Sequence, residues 1–402
     1  MRIGVDLCAW NAEYVGGVNT FAAGLVNGLI DTANSGDVIV LIVTRRNGPF
    51  LRERFSARGV EFLEISINRL AARINTTLSD ISWAVGNFML RHWYDRIFRA
   101  ELMRRIDESI DVLLAPMTLL QFYGLHKPSL LSIHDIQQEY HPEFFSWKQR
   151  VRRWAPYRLS AFQACKVQAS SHYIKDCLLE KFSFLEAGKI CVIEEGVDFD
   201  TFSNAGDEKP EGLTELGAEE FIFYPAQLWP HKNHLLLVDA LARYREKTGS
   251  EIACVLSGSD YGRWPAIQAY AQAHGLGRLH YLGRVGFAQL LWLYRNCRAV
   301  LALGMHESSS LPVREGAVFG KPLICLDIPP NREAASYLRI NLVSGEGPEC
   351  LAKALISLTA GDVGWFEASR ENATLIRKLD WKKIAREYRL CAQSIIETRD
   401  SK

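Results

Sequence analysis

Residues 299–326, AVLALGMHESSSLPVREGAVFGKPLICL, read as strand, loop, helix, turn and strand. AVLAL (299–303) and PLICL (322–326) are short apolar runs of the kind buried on both faces of a parallel sheet. Between them Pro312 fits the first helical turn, where its missing N–H costs nothing, and Gly320 fits the helix end. Two buried strands joined by a helix make a crossover unit, so this stretch commits its half of the chain to an α/β fold. It also sets Glu307 before the helix start and Glu315 inside its first turns. Open amides at a helix start form an anion site, for phosphate above all. A diphosphate held there has a carboxylate towards each end, each able to accept hydrogen bonds from hydroxyls. A nucleoside diphosphate sugar has that shape. The plainer alternative is that Glu315 complements the helix dipole and Glu307 is solvated loop charge.

The same grammar runs outward in both directions. FIFYPA (221–226), EIACVLSG (251–258) and LHYLG (279–283) precede it as further strands. In the first half Arg2–Leu7, VIVLIVT (38–44), VLLAP (112–116), SLLSIHD (129–135), KVQAS (166–170) and KICVIEEGV (189–197) alternate with amphipathic stretches. SNAGDEKPEGLTELGAE (203–219) is polar and rich in Gly and Pro, the best linker candidate in the chain. The expected division is therefore 1–205, 206–379 and a carboxy-terminal helix over 380–402 that returns to the first domain. Two doubly wound, Rossmann-like domains predict a cleft facing the carboxyl ends of both sheets.

At 402 residues the chain exceeds one ordinary core, which agrees with two domains. Its 47 basic and 46 acidic residues leave no global field to attract nucleic acid. Nine cysteines lie scattered without a CxxC pair and read as reduced thiols in a cytoplasm. MRIGVDLCAW opens directly as a strand, which predicts no signal peptide, and no run of about 18 apolar residues predicts a membrane span. The histidines show no metal-ligand spacing. Two segments, WAVGNFMLRHWYDRIFRAELMRR (83–105) and WKQRVRRWAPYR (147–158), interleave aromatics with arginines. They suit either the interface of an anionic membrane or a helix covering the sheet with its arginines in solvent.

ESSSLPVREGAVFGKP resembles the Glu-x7-Glu segment of retaining glycosyltransferases of family 4, whose GT-B fold has two Rossmann-like domains. GGVNTF (16–21), SIHDIQQEYHPEFF (132–145), EEGVDFDTF (194–202), FIFYPAQLWPHKNHLLLVDAL (221–241) and LHYLGRV (279–285) resemble further segments of that family, in order. The resemblance implies an acceptor-binding first domain and a second domain that binds a nucleotide sugar. It places Glu307 near the donor sugar and reacting centre, Glu315 on the ribose, and Lys232 on the diphosphate. His134 lines the sugar pocket, and Gly16 and Gly17 approach the donor phosphates or the acceptor. Gln227 stands where the family often has arginine, which weakens the phosphate clamp. Ser308, Ser309 and Ser310, followed by Leu311, stand where a Gly-Phe-Gly is common, with hydroxyls to supplement the amides.

Family members of this flavour include mannosyltransferases that build bacterial polysaccharides. They imply GDP-mannose as donor, a glycan acceptor carried on a polyprenyl lipid at the inner membrane face, and no metal or other cofactor. Asp198-Phe199-Asp200 copies a manganese-binding Asp-x-Asp of another glycosyltransferase fold, but its place before the linker reads as a turn. A sugar-nucleotide epimerase of the same fold and a binding subunit without turnover are the rivals.

Overall fold

The computed structural model describes residues 1–11, 17–66, 77–78, 80–82, 84–213, 215–361 and 363–400. Gly16 and Trp83 lie outside these described residues. Among the described residues thirteen strands form two sheets. The first sheet holds β1 (Arg2–Asp6), β2 (Val38–Thr44), β3 (Glu61–Ile65), β4 (Val112–Ala115), β5 (Ser129–Ile133), β6 (Lys166–Ala169) and β7 (Ile190–Val192). The second holds β8 (Phe221–Pro225), β9 (Ala253–Ser257), β10 (Leu279–Tyr281), β11 (Ala299–Ala302), β12 (Leu323–Leu326) and β13 (Asn341–Val343).

Their orders are β3-β2-β1-β4-β5-β6-β7 and β10-β9-β8-β11-β12-β13. Every neighbouring pair is parallel. Strand order reverses between β1 and β4 and again between β8 and β11. At such points the loops leaving two adjacent strands part in opposite directions and open a crevice at their carboxyl ends. The central strands are buried on both faces, as their continuous apolar runs require.

The chain divides into one compact unit of residues 1–196 with 381–402 and another of 197–380. The crossings therefore fall at Gly196–Val197 and Asp380–Trp381, not at 205–206. Val197 donates its N–H to Leu379 O at 2.7 Å and forms a parallel bridge with Asp380, so the two crossings run side by side. The polar stretch 203–219 is a strap on the second unit. Arg295 holds it by an ion pair to Asp207 at 2.7 Å and by bonds to the carbonyls of Phe202 and Ala205.

In the first unit the helix Trp381–Asp400 lies against the helix Gly17–Asp31. A Cβ on Gly24 would sit 2.1 Å from Trp381 Cε2, and one on Gly28 2.4 Å from Trp381 O, so only glycine allows this approach. The arginines of 83–105 do not all face solvent. Arg91 and Arg99 turn inward onto buried Asp95, at 3.5 and 2.9 Å, and Asp95 also accepts from Tyr123 N. Removing Asp95 would strand two guanidinium groups in the interior, so this part of the segment is structural.

Candidate active site

The second unit builds its site where β8 and β11 separate. Leaving β8, the chain makes a tight turn over Pro230–Lys232 and enters the helix His234–Thr248 through Asn233 at φ 60, a left-handed position that asparagine tolerates. Two bonds lock this turn. Tyr224, buried in β8, donates its hydroxyl to Lys232 O at 2.5 Å, and Met305 N donates to His231 O at 2.8 Å. The second bond stitches the β8 loop to the β11 loop. It thereby brings Lys232 Nζ within 2.5 Å of Glu307 Oε1, with both side chains mostly buried. Gly304 makes room for this pair, since a Cβ there would meet Glu307 Oε1 at 2.1 Å.

Past Glu307 the chain enters the helix Leu311–Val318, with Ser310 as an extended N-cap whose side chain makes no capping bond. Ser310 Oγ is buried without a hydrogen-bond partner. Pro312 has no N–H to satisfy, while the amides of Val313 and Arg314 turn to Ser310 O. The helix start thus keeps the Leu311 amide and the Ser310 hydroxyl to offer, three residues past the carboxylate that holds Lys232, a combination suited to phosphate oxygens. Glu315, one turn on, accepts from the buried Tyr294 hydroxyl at 2.5 Å. The Tyr294 ring is fixed edge-on to Phe223 and stacked on Phe319. Tyr294 escaped the sequence reading because nothing in LWLYRN links it to a carboxylate 21 positions later.

Burial pushes the Glu315 carboxyl from 4.5 up to about 7, against a smaller lowering by the Tyr294 bond. The folded state therefore holds this proton more tightly than the unfolded chain. Its contribution favours folding below the unfolded value and is lost as pH rises to about 7, a swing of about 3 kcal/mol. Glu315→Gln, which cannot ionise, is expected to gain stability relative to the wild type by about 2–3 kcal/mol between acid and mildly alkaline pH. Denaturant unfolding of both proteins across that range checks it; parallel curves would show that Glu315 titrates normally.

Two families match this chain. Glycosyltransferase Family 4 matches residues 15–201, and Glycosyl transferases group 1 matches residues 207–373. The chain belongs to the GT-B glycosyltransferases. No curated protein matches it by sequence. Among solved structures, this glycosyltransferase is similar in fold to HepE from Anabaena, solved with UDP and glucose. That match covers 98% of this chain and 100% of that one, with 16% identity and a TM-score of 0.69. Sucrose-phosphate synthase from Thermosynechococcus elongatus matches with 15% identity, 99% coverage of each chain and a TM-score of 0.70. The lipopolysaccharide outer core galactosyltransferase WaaB matches with 15% identity, 99% coverage of this chain, 100% of its own and a TM-score of 0.62.

In this glycosyltransferase Gln227 sits at the mouth of the β8 loop, and its Oε1 accepts from Trp229 Nε1 at 2.7 Å and Tyr261 Oη at 3.1 Å. The two rings lie against each other with centroids 4.2 Å apart. With its oxygen committed to two donors, the amide keeps its NH2 as a neutral donor. Sequence reasoning named Gln227 but missed the aromatic pair that orients it.

His134 and Gly17 belong to the first unit. His134 ends the β5 run, buried, with Nε2 2.8 Å from Pro116 O, Nδ1 3.2 Å from Glu195 Oε1 and Phe21 edge-on at 4.5 Å. Pro116 O can only accept, so Nε2 donates to it, while Nδ1 shares a hydrogen bond with the Glu195 carboxyl group. Burial pulls its pKa down, but the Glu195 bond and charge, with Pro116 O and Asp135, outweigh that and the net shift is upward. Gly17 opens the helix Gly17–Asp31 at the β1–β4 switch point. Asp198 caps the helix Phe199–Asn204, accepting from Thr201 N at 3.0 Å and Thr201 Oγ1 at 2.7 Å.

Proposed function

We infer that the chain moves a sugar from a nucleoside diphosphate donor to a growing glycan. The observation that carries this reading is the meeting of Lys232 and Glu307 at 2.5 Å beside an uncapped helix start that bears Glu315 one turn on. A diphosphate there takes the Leu311 amide, the Ser308–Ser310 hydroxyls, the Gln227 amide and the Lys232 ammonium. Glu315 then receives the ribose hydroxyls and Glu307 faces the donor sugar. HepE, solved with UDP and glucose, and WaaB, a lipopolysaccharide outer core galactosyltransferase, support a nucleotide-sugar donor and a glycan acceptor.

As the glycosidic bond breaks, negative charge grows on the leaving diphosphate and the anomeric carbon becomes oxocarbenium-like. Lys232 and the helix start stabilise the first without a metal ion, and the Glu307 carboxylate stabilises the second. The acceptor hydroxyl attacks from the leaving-group side, so configuration is retained and Glu307 acts by charge and hydrogen bonding rather than as a nucleophile. By the resemblance, His134 lines the sugar pocket and Gly17 approaches the donor phosphates or the acceptor. By the resemblance to polysaccharide mannosyltransferases, the donor is GDP-mannose and the acceptor a polyprenyl-linked oligosaccharide at the inner face of the cytoplasmic membrane.

The test is a panel of nucleotide sugars, read by thermal shift and by nucleoside diphosphate released with and without lipid-linked acceptor. GDP-mannose is expected to stabilise the protein most and to turn over only with acceptor. Turnover of a different sugar nucleotide corrects the donor. Binding without any transfer or hydrolysis contradicts the reading and makes the chain a binding subunit.

A further inference from the structure

The first unit displays a band of large apolar side chains. Ile81, Val85 and Met89 are exposed, the last two in the turns before the helix Leu90–Phe98, which itself exposes Trp93, Ile97 and Phe98. That helix buries its opposite face through Arg91 and Asp95, so the apolar side is the one left outside. A second element adds to the band. The helix Trp147–Gln163 exposes Trp147, Val151 and Trp154, one face by their i, i+4, i+7 spacing, and buries Ala155, Leu159 and Ala161.

The two elements lie side by side. Asp80 and the Trp147–Ala155 stretch line one cavity of about 600 Å³, while at the far end Phe88 meets the Phe162 ring at 4.7 Å and its carbonyl accepts from Gln163. Soluble proteins seldom leave so much contiguous apolar surface without a use.

Charge says what covers it. The Trp147–Gln163 helix carries five basic residues and no acidic one. Arg153 and Arg158 turn inward, to Gln138 and Glu139. Lys148, Arg150 and Arg152 stay exposed among Trp147, Val151 and Trp154. The chain as a whole is near neutral, at +1, so this is a local device. Tryptophans between exposed cations match a bilayer interface, where indoles sit at headgroup depth and cations meet lipid phosphates. Among the described residues no helix is long and apolar enough to cross a membrane.

We propose that this band docks the first unit on the surface of an anionic bilayer, with Trp147, Val151 and Trp154 entering the interface and Lys148, Arg150 and Arg152 contacting headgroups. The contact comes from the Trp147 helix and the 81–98 stripe. Three of the five arginines of 83–105 do not make it, since Arg91 and Arg99 are committed to Asp95, and Arg104 to Glu101 and Glu108.

Sedimentation of the full chain with phosphatidylcholine–phosphatidylglycerol vesicles, against phosphatidylcholine alone and without any nucleotide sugar, tests it. Binding is expected only with the anionic lipid, and it should weaken as salt is raised. Trp147→Ser with Trp154→Ser should lower the partition coefficient about tenfold or more. Lys148→Glu with Arg150→Glu should lower it by at least about fivefold per cation. These residues are exposed, so circular dichroism should show both variants folded.

Absence of partition, or variants that partition like the wild type, overturns the proposal. A dimer in analytical ultracentrifugation that these substitutions dissociate also overturns it, since a second copy would then cover the band. Donor turnover plays no part in the measurement, so its outcome is independent of the transferase reading.

Discussion

Replacing Glu307 by glutamine is expected to lower kcat about 100- to 1000-fold while leaving donor affinity unchanged or tighter. The two effects have opposite signs because Glu307 has two neighbours. In the structure its carboxylate holds the Lys232 ammonium at 2.5 Å. A diphosphate must compete for that ammonium, so removing the negative charge frees the lysine for the donor. In the transition state the same charge lies near a developing oxocarbenium. A unit charge at about 4 Å in surroundings of effective dielectric about 20 contributes about 4 kcal/mol, enough for the predicted loss. Separate measurement of kcat and of donor affinity by calorimetry decides the matter. A loss of affinity with kcat intact would mean that Glu307 binds ground-state donor and stabilises no charge.

Lys232→Ala should act on both quantities, with kcat/KM falling about 1000-fold. It removes the cation paired with Glu307 and leaves that carboxylate mostly buried without its lysine, facing the incoming diphosphate. Repulsion then adds to lost attraction. Adding Glu307→Gln to Lys232→Ala should recover part of the donor affinity, because the uncompensated charge is gone, but none of the turnover. A double variant that binds donor no better than Lys232→Ala would show that the two side chains are not coupled.

Much of the second unit was legible because its chemistry is local in sequence. The β11 run, the proline-opened helix and the two glutamates lie within 28 residues, and strand and helix periods place them with no tertiary information. Lys232 follows its strand just as directly. What escaped was set by neighbours distant in sequence. Tyr294 reaches Glu315 from another helix, and Tyr261 reaches Gln227 from the loop after β9. β3 and β13 escaped for a different reason. Both are edge strands, mostly half-buried, and polar residues interrupt them, Glu61 and Glu64 in β3 and Asn341 in β13, so neither shows the continuous apolar run that marks a central strand.

The 203–219 stretch misled because polar, Gly- and Pro-rich composition is shared by linkers and by straps pinned to a surface, here by Arg295. The inward turn of Arg91 and Arg99 was within reach of the sequence. Arg91, Asp95 and Arg99 stand four residues apart on one helix face, a spacing that pairs charges with each other before it offers them to a partner.

The most direct test is a crystal structure of the protein with an intact nucleotide sugar or its nucleoside diphosphate. The diphosphate should lie within hydrogen-bond distance of Lys232 Nζ and the Leu311 amide, with ribose hydroxyls on Glu315 and the sugar beside Glu307. A nucleotide bound away from the start of the Leu311 helix, or one that leaves Lys232 paired with Glu307 and Glu315 bonded to Tyr294 alone, would contradict it.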